Sequence, residues 1–499
     1  MTAPARVMVL GFDAMDPTTM RSLAEDGHLP TFRRLLSSAA VARIDNPYGV
    51  FVGNTWTSFF SGWSAARTRY HSTDEIAPGT YTHRKTPFNR MRGTPFWRDL
   101  DRRGRRVAAV DVPHTVATQP SGDGVEVSEW GVHDRHKGPR VFPSPACGDL
   151  LDRFGHHPVF GVEPDLARDF SPDDYVHREG DLRTHAEEEA LLRDFETGAA
   201  LKTALSTHVL ASGRWDLFIS VAAESHAVGH QHWYLHDRNH PRHDVALERA
   251  IGDPVAIIYS RLDRSLAAHL ALAGKDTLVL VMLSHGMGPH YDGSAVLTEV
   301  LRRLDTVRAG GTGLFDGRLP QLYATEGDRR RQRFFRMPNN DHIGGVRLNV
   351  RGREPDGRVD PDEAAADMEW LRAELLDLVN LDTGAPAVRA VERVQDHHPR
   401  SPDDAFPDLF VEWNCEAPIT TVSSARIGVV HLEAANWRTG DHRPHGLLLA
   451  TGGHLGRPAV MPPVAMLNLA PTIFAALDVE AGDLDGSPIP WLSAPLSVT

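Results

Sequence analysis

Residues 224–230 read Glu-Ser-His-Ala-Val-Gly-His, and the pair to notice is His226 and His230. On a helix, side chains four positions apart project from the same face. Two neutral imidazoles so placed can grip one divalent ion, with zinc the best match to nitrogen donors. A bland reading competes, because surface or core histidines reach this spacing by chance. The apolar run Leu217–Val221 just before the pair favours the ligand reading, since it puts both rings at the end of a buried strand. His232 and His236 continue the histidine run and are expected to line a pocket or face solvent.

Two more strand ends carry similar chemistry. Asp13 follows Val-Met-Val-Leu-Gly-Phe and offers a hard oxygen ligand. Asp16, just ahead of Pro17, suits a helix cap better. The run Leu278–Leu283 stops abruptly at Ser284-His285-Gly286, a histidine with a serine where many metal hydrolases carry an aspartate. Gly440-Asp441-His442-Arg443 precedes another apolar run and, taken alone, reads as ordinary turn residues. Glu224, His290, Asp292, Asn340, Asp341 and His342 are further polar residues near these ends, equally explicable as hydrogen-bonded loop positions.

The elements that must hold these residues follow from periodicity. Short, β-branched apolar runs predict strands at Val7–Phe12, Val107–Val110, Leu217–Val221, Leu278–Leu283, Val346–Val350, Leu409–Trp413 and Leu447–Ala450. Apolar residues three and four apart predict helices over Ser22–Ser37, Arg193–Ser212, Pro254–Ala273, Asp362–Val379 and Val464–Leu477. This alternation implies an α/β fold: a three-layer sandwich with a central, mostly parallel sheet flanked by helices. Functional residues of such sheets gather beyond the carboxyl ends of the strands, where Asp13, His226 and His285 fall. Their wide separation in sequence predicts one discontinuous core over residues 1–499, with cap-forming insertions at about 133–192 and 294–345.

Composition narrows the partners. With 41% apolar and 24% charged residues, the 499-residue chain can bury a large core without disulfides, and Cys147 and Cys415 are its only cysteines. There is no basic leader followed by a cleavable apolar stretch and no apolar run of membrane-spanning length, so a soluble cytoplasmic protein is expected, with no membrane partner. A net charge of −13 argues against a nucleic-acid polymer as partner. The basic run Arg329–Arg336 is read first as solvated surface, with substrate binding the less favoured alternative.

Taken together and in order, GFDAMD, GNTWTSFFSG, the strand-then-ESHAVGH segment, LSHGM, GGVRLNVRGREPDG, TGDHRPHGLLLATG and LNLAPTIFAALDVEAGDLDGSPIP resemble the alkaline phosphatase superfamily. The likeness is to its nucleotide pyrophosphatase/phosphodiesterase-like branch. The resemblance implies two metal ions, usually zinc, above the sheet, with a Thr or Ser nucleophile between them. By this resemblance one metal site comprises His226, His230 and His442, and a second comprises Asp13 with Ser284-His285. The pattern is altered, because two of the three carboxylates usual in the family stand here as His226 and Ser284. One firm divalent-metal site is therefore expected, and a second, weaker one, whose missing charge Glu224, Asp292, His290 or Asp341-His342 could restore. The nucleophile position falls on Val52, which cannot attack phosphorus. That leaves Thr55, three residues on, or a metal-bound hydroxide, with Asn54 as a hydrogen-bond donor to substrate oxygen. The resemblance thus implies a metal-dependent hydrolase of a small phosphate ester, phosphodiesterase-like. The alternatives are a repurposed metalloenzyme acting on a phosphonate, sulfate or non-phosphate substrate, and an inactive metal- or ligand-binding protein.

Overall fold

A computed structural model describes residues 6–86, 93–133, 135, 138–143, 148–160, 182–314, 319–339, 342–399, 406–432, 438–452, 455 and 458–493. Among these, a ten-stranded sheet forms the centre of the molecule. Its middle is parallel: Thr277–Leu283, Arg6–Phe12, Leu217–Ala222, Val107–Val110 and Val125–Ser128 lie side by side in that order. His445–Gly452 runs antiparallel between Thr277–Leu283 and Ala40–Asp45.

Strand alternation explains why both faces are covered. Met8, Leu10 and Phe12 point to one side, into a core shared with the helices His185–Ala211 and Pro254–Leu272. Val7 and Val9 point to the other, against Trp56, Phe59 and Phe60 of the helix Phe51–Ser61 and against Leu469–Ala476. The result is the expected helix–sheet–helix sandwich.

Residues 294–432 add a second layered unit. Its four-stranded antiparallel sheet runs Phe334–Met337, Ile343–Leu348, Leu409–Trp413 and Val388–Arg393. Ser294–Arg308 and Ala364–Leu376 share an apolar cluster with it. Two runs expected in the central sheet, near Val346 and Leu409, belong instead to this unit. The helix expected over Ser22–Ser37 is two helices, Pro17–Glu25 and Pro30–Ser38, parted at Gly27, which adopts φ +87°. Asp16 caps the first of them, accepting from Thr19 N–H at 2.7 Å. Among the described residues no helix is long and apolar enough to cross a membrane.

Candidate metal centre

Three strand ends and one two-stranded ribbon converge above the sheet. The helix Glu224–His236 starts two residues past the strand Leu217–Ala222, and its first twelve residues are all buried. His226 and His230 therefore face inward with no choice of rotamer toward solvent. His442 arrives by a different route. Gly286–Pro289 pairs antiparallel with Gly440–Arg443, with Met287 opposite His442. A side chain at Gly440 would put its Cβ 2.2 Å from the Gly229 carbonyl oxygen, so only glycine lets this ribbon lie so close to the helix.

The three imidazoles meet at their Nε2 atoms. His226 Nε2 lies 3.0 Å from His230 Nε2 and 2.8 Å from His442 Nε2. Donors on a tetrahedral zinc with nitrogen bonds near 2.0 Å sit roughly 3.3 Å apart, so the two separations from His226 suit one such ion after a small expansion. The opposite ring edges are anchored. His230 Nδ1–H donates to the Gly440 carbonyl at 2.8 Å, and His226 Nδ1 pairs with Asp13 Oδ2 at 2.7 Å. Carboxylate or carbonyl partners of this kind fix the tautomer of a ligating imidazole. Burial pushes His226 down to about 4 and His230 well below the usual histidine range, leaving both rings neutral at pH 7.

Asp13 stands where expected, directly after the strand Arg6–Phe12, with protein donors on both of its oxygens. Its Oδ1 accepts from Trp56 Nε1 at 2.6 Å and from Ser284 Oγ at 3.1 Å, while Oδ2 holds His226. Both oxygens thus have protein partners, and one of those partners is His226. Burial alone would raise this carboxyl, but the hydrogen-bonded His226, which is protonated only in acid, together with His285 and Trp56, holds it well below the usual carboxylate range. Ser284 completes a clamp. Its hydroxyl donates to Asp13 and accepts from Ala14 N–H at 3.0 Å, bracing Ala14 at φ +49°. His285 lies close by, with Nε2 3.9 Å from Asp13 Oδ1 and burial pushing it down to about 3.

Thr55, one of the two expected nucleophiles, and Asn54, the expected hydrogen-bond donor to substrate, both have partners within the protein. Thr55 is fully buried, and its hydroxyl donates to the Phe51 carbonyl at 2.8 Å and contacts Asn46 Oδ1 at 3.0 Å. The Asn54 amide donates to the carbonyls of Val50 and Tyr70, and its oxygen accepts from Thr68. The physical reason is helical phase: Val52 and Gly53, at the start of the helix, face the open space, while Asn54 and Thr55 turn into the core.

That space is a cleft of about 350 Å³ with His442, Asp441, Val52 and Gly53 on its wall. Its positive side chains are Lys85, Arg329, Arg336 and Arg438. The basic run is thus divided. Arg329 and Arg336 reach the cleft, whereas Arg330, Arg331 and Arg333 pair with surface acids. His133 lies in a loop with no periodic signal, so nothing in the sequence marks it. It stacks on His226 with ring centroids 4.0 Å apart and brings a nitrogen within 4.8 Å of those of His226 and His230. Of the other histidines, His232 is buried on Glu188 at 2.9 Å, and His236 pairs with Asp253 at 2.7 Å. Glu224 contacts His157 at 3.4 Å, and Asn340 and Asp341 lie outside the described residues.

Solved structures with the same fold include phosphonoacetate hydrolase from Sinorhizobium meliloti 1021 in complex with phosphonoformate. It is 14% identical, with 96% of each chain covered and a TM-score of 0.53. Wild-type alkaline phosphatase PafA is 15% identical over 98% of this chain and 99% of that one, with a TM-score of 0.54. No curated protein sequence matches the chain. Residues 7–429, most of the chain, match the sequence profile of one family of hydrolases, and the protein belongs to it: type I phosphodiesterase / nucleotide pyrophosphatase.

Proposed function

We propose that the protein hydrolyses a small phosphate ester, most readily a phosphodiester, with one zinc ion held by His226, His230 and His442. The observation that carries this reading is the approach of His230 Nε2 and His442 Nε2 to His226 Nε2, at 3.0 and 2.8 Å, with His442 on the wall of a cleft that carries four cationic side chains. A divalent cation there supplies Lewis acidity, polarising a phosphoryl oxygen and acidifying water. The chain does the rest. Asp13 and the Gly440 carbonyl keep the two helix-borne imidazoles aimed. Arg336, Arg438 and Lys85 draw in the anionic ester. The first N–H groups of the helix Phe51–Ser61, at Val52 and Gly53, suit a phosphoryl oxygen.

Water is the nucleophile in this reading. Val52 has no nucleophilic atom, and the Thr55 hydroxyl is committed to Phe51 and Asn46. Direct attack by water inverts configuration at phosphorus, whereas a covalent phosphothreonine would retain it. The test combines metal analysis with turnover of phosphodiesters, monoesters, phosphonates and sulfate esters. Stoichiometric zinc with phosphodiester turnover supports the proposal. Full metal content with no turnover of any ester favours a ligand-binding protein, and His226→Ala or His230→Ala with unchanged metal would sink the site assignment.

A further inference from the structure

A second group of ligand-type side chains stands beside the imidazole cluster. His290, Asp292 and Asp441 each offer a donor atom within 4.8 Å of the other two. All three side chains are nearly inaccessible, at 6%, 2% and 4% exposure. Asp441 Oδ1 lies 3.3 Å from His442 Nδ1, while its Oδ2 is buried with no hydrogen-bond partner. His290 Nε2 lies 2.7 Å from Asp292 Oδ2. His290 Nδ1 is anchored on the Arg438 carbonyl at 3.2 Å, which aims Nε2 at the carboxylates. Arg443, the guanidinium next along the ribbon, gives its N–H groups to the carbonyls of Pro289 and His442.

Two carboxylates buried side by side repel each other, and an unpaired buried charge costs several kcal/mol. We infer that His290, Asp292 and Asp441 form a second divalent-cation site, joined to the imidazole site through His442. The ring of His442 separates the two, with Nε2 facing His226 and Nδ1 facing Asp441. One nitrogen and two anionic oxygens make a harder donor set than three imidazoles, so this site accepts manganese as well as zinc. Asp441 lines the cleft, which gives the ion a way in. The site does not depend on the hydrolase reading, since it rests on a different set of side chains.

The test is metal content of the full chain, stripped with chelator and reloaded with zinc or manganese, together with a manganese titration followed by electron paramagnetic resonance. The wild-type chain is expected to take up one ion beyond the imidazole-bound one. Asp292→Asn retains an acceptor for the Ser294 N–H, now 2.8 Å from Asp292 Oδ1, yet removes the anionic ligand. It is expected to lose that additional ion and weaken manganese binding about tenfold or more, while zinc at the imidazoles stays. His290→Gln, whose amide can still donate to the Arg438 carbonyl, gives the same readout should Asp292→Asn fail to fold by circular dichroism. A wild-type chain that binds a single ion, unchanged in the folded variant, overturns the proposal and leaves an ion-pair network. Failure of the imidazole site is distinguishable, because it appears in His226→Ala and not in Asp292→Asn.

Discussion

Asp13 has two flanks, and they differ in what they ask of it. On one flank its Oδ2 grips His226, whose far nitrogen meets His230 and His442. On the other its Oδ1 is closed off by Trp56 and Ser284, with His285 left at 3.9 Å. The first flank gathers neutral nitrogens around a common point. The second spends its polar atoms on one another. A metal site needs donors that lack a better partner in the protein, and by that measure the proposed centre lies on the histidine side of Asp13. In the proposed reading, the carboxylate that could ligate an ion instead sets the angle of a ring that does.

Breaking the histidine flank has the largest expected effect. His230→Ala should take metal content at the imidazoles and ester turnover to background. That loss exceeds the roughly 100-fold at which removal of an orienting partner tops out. Chelator dialysis of the unaltered chain should reproduce it, and zinc should restore turnover only in the unaltered chain. Retained metal in His230→Ala, measured by elemental analysis, would break the comparison outright.

Refilling the other flank is the next step down. Ser284→Asp sets a carboxylate against Asp13 Oδ1 and removes the hydroxyl that donates to it. With no cation between them, two buried anions should cost about 3 kcal/mol of stability or more, read as a lower urea midpoint in chelator. Zinc should recover much of that loss and raise the bound metal. If zinc recovers nothing, the Ser284 flank lacks room for an ion and the asymmetry is steric as well as chemical.

Asp13→Asn probes the shared carboxylate itself. The amide can still accept from Trp56 but cannot hold His226 Nδ1–H as an anion does. The expected loss is about 10–100-fold in zinc affinity or turnover, the usual range for an orienting partner. A loss as complete as that of His230→Ala would instead make Asp13 a direct ligand.

How far the site is legible from sequence depends on the residue. The strands ending at Phe12, Ala222 and Leu283 are readable because they are continuous apolar runs buried on both faces. Asp13, His226 and His285 are therefore correctly located at strand ends, although their roles are not readable. Spacing says where a carboxylate sits, not which donors reach its two oxygens, and Trp56 comes from an element 43 residues away. The strand expected at Val346–Val350 begins earlier, at Ile343, because it includes Gly344 and Gly345. Glycine reads as a strand breaker, yet a Cβ at Gly344 would come 2.7 Å from Leu297 Cδ2 of the covering helix. Periodicity cannot register such a close approach.

The smallest expected effect concerns Thr55, and it tests the comparison from outside. Thr55 Oγ1 is 3.0 Å from Asn46 Oδ1, and the Asn46 amide donates to the carbonyls of Ser284 and Pro444 at 2.9 and 2.8 Å. Thr55 therefore steadies the Ser284 flank from behind and touches nothing on the histidine flank. Thr55→Val keeps the shape of the side chain and removes only the hydroxyl. It should cost about 1 kcal/mol of stability, the worth of a buried hydrogen bond, measured by urea unfolding. Ester turnover and metal content should stay within about twofold, a change worth under 0.5 kcal/mol. A nucleophile cannot be lost so cheaply. Should turnover collapse while zinc stays bound, Thr55 would be the attacking group. The helix Phe51–Ser61 would then have to rotate to present it, and the Ser284 flank, for all its mutual hydrogen bonds, would take part in the chemistry.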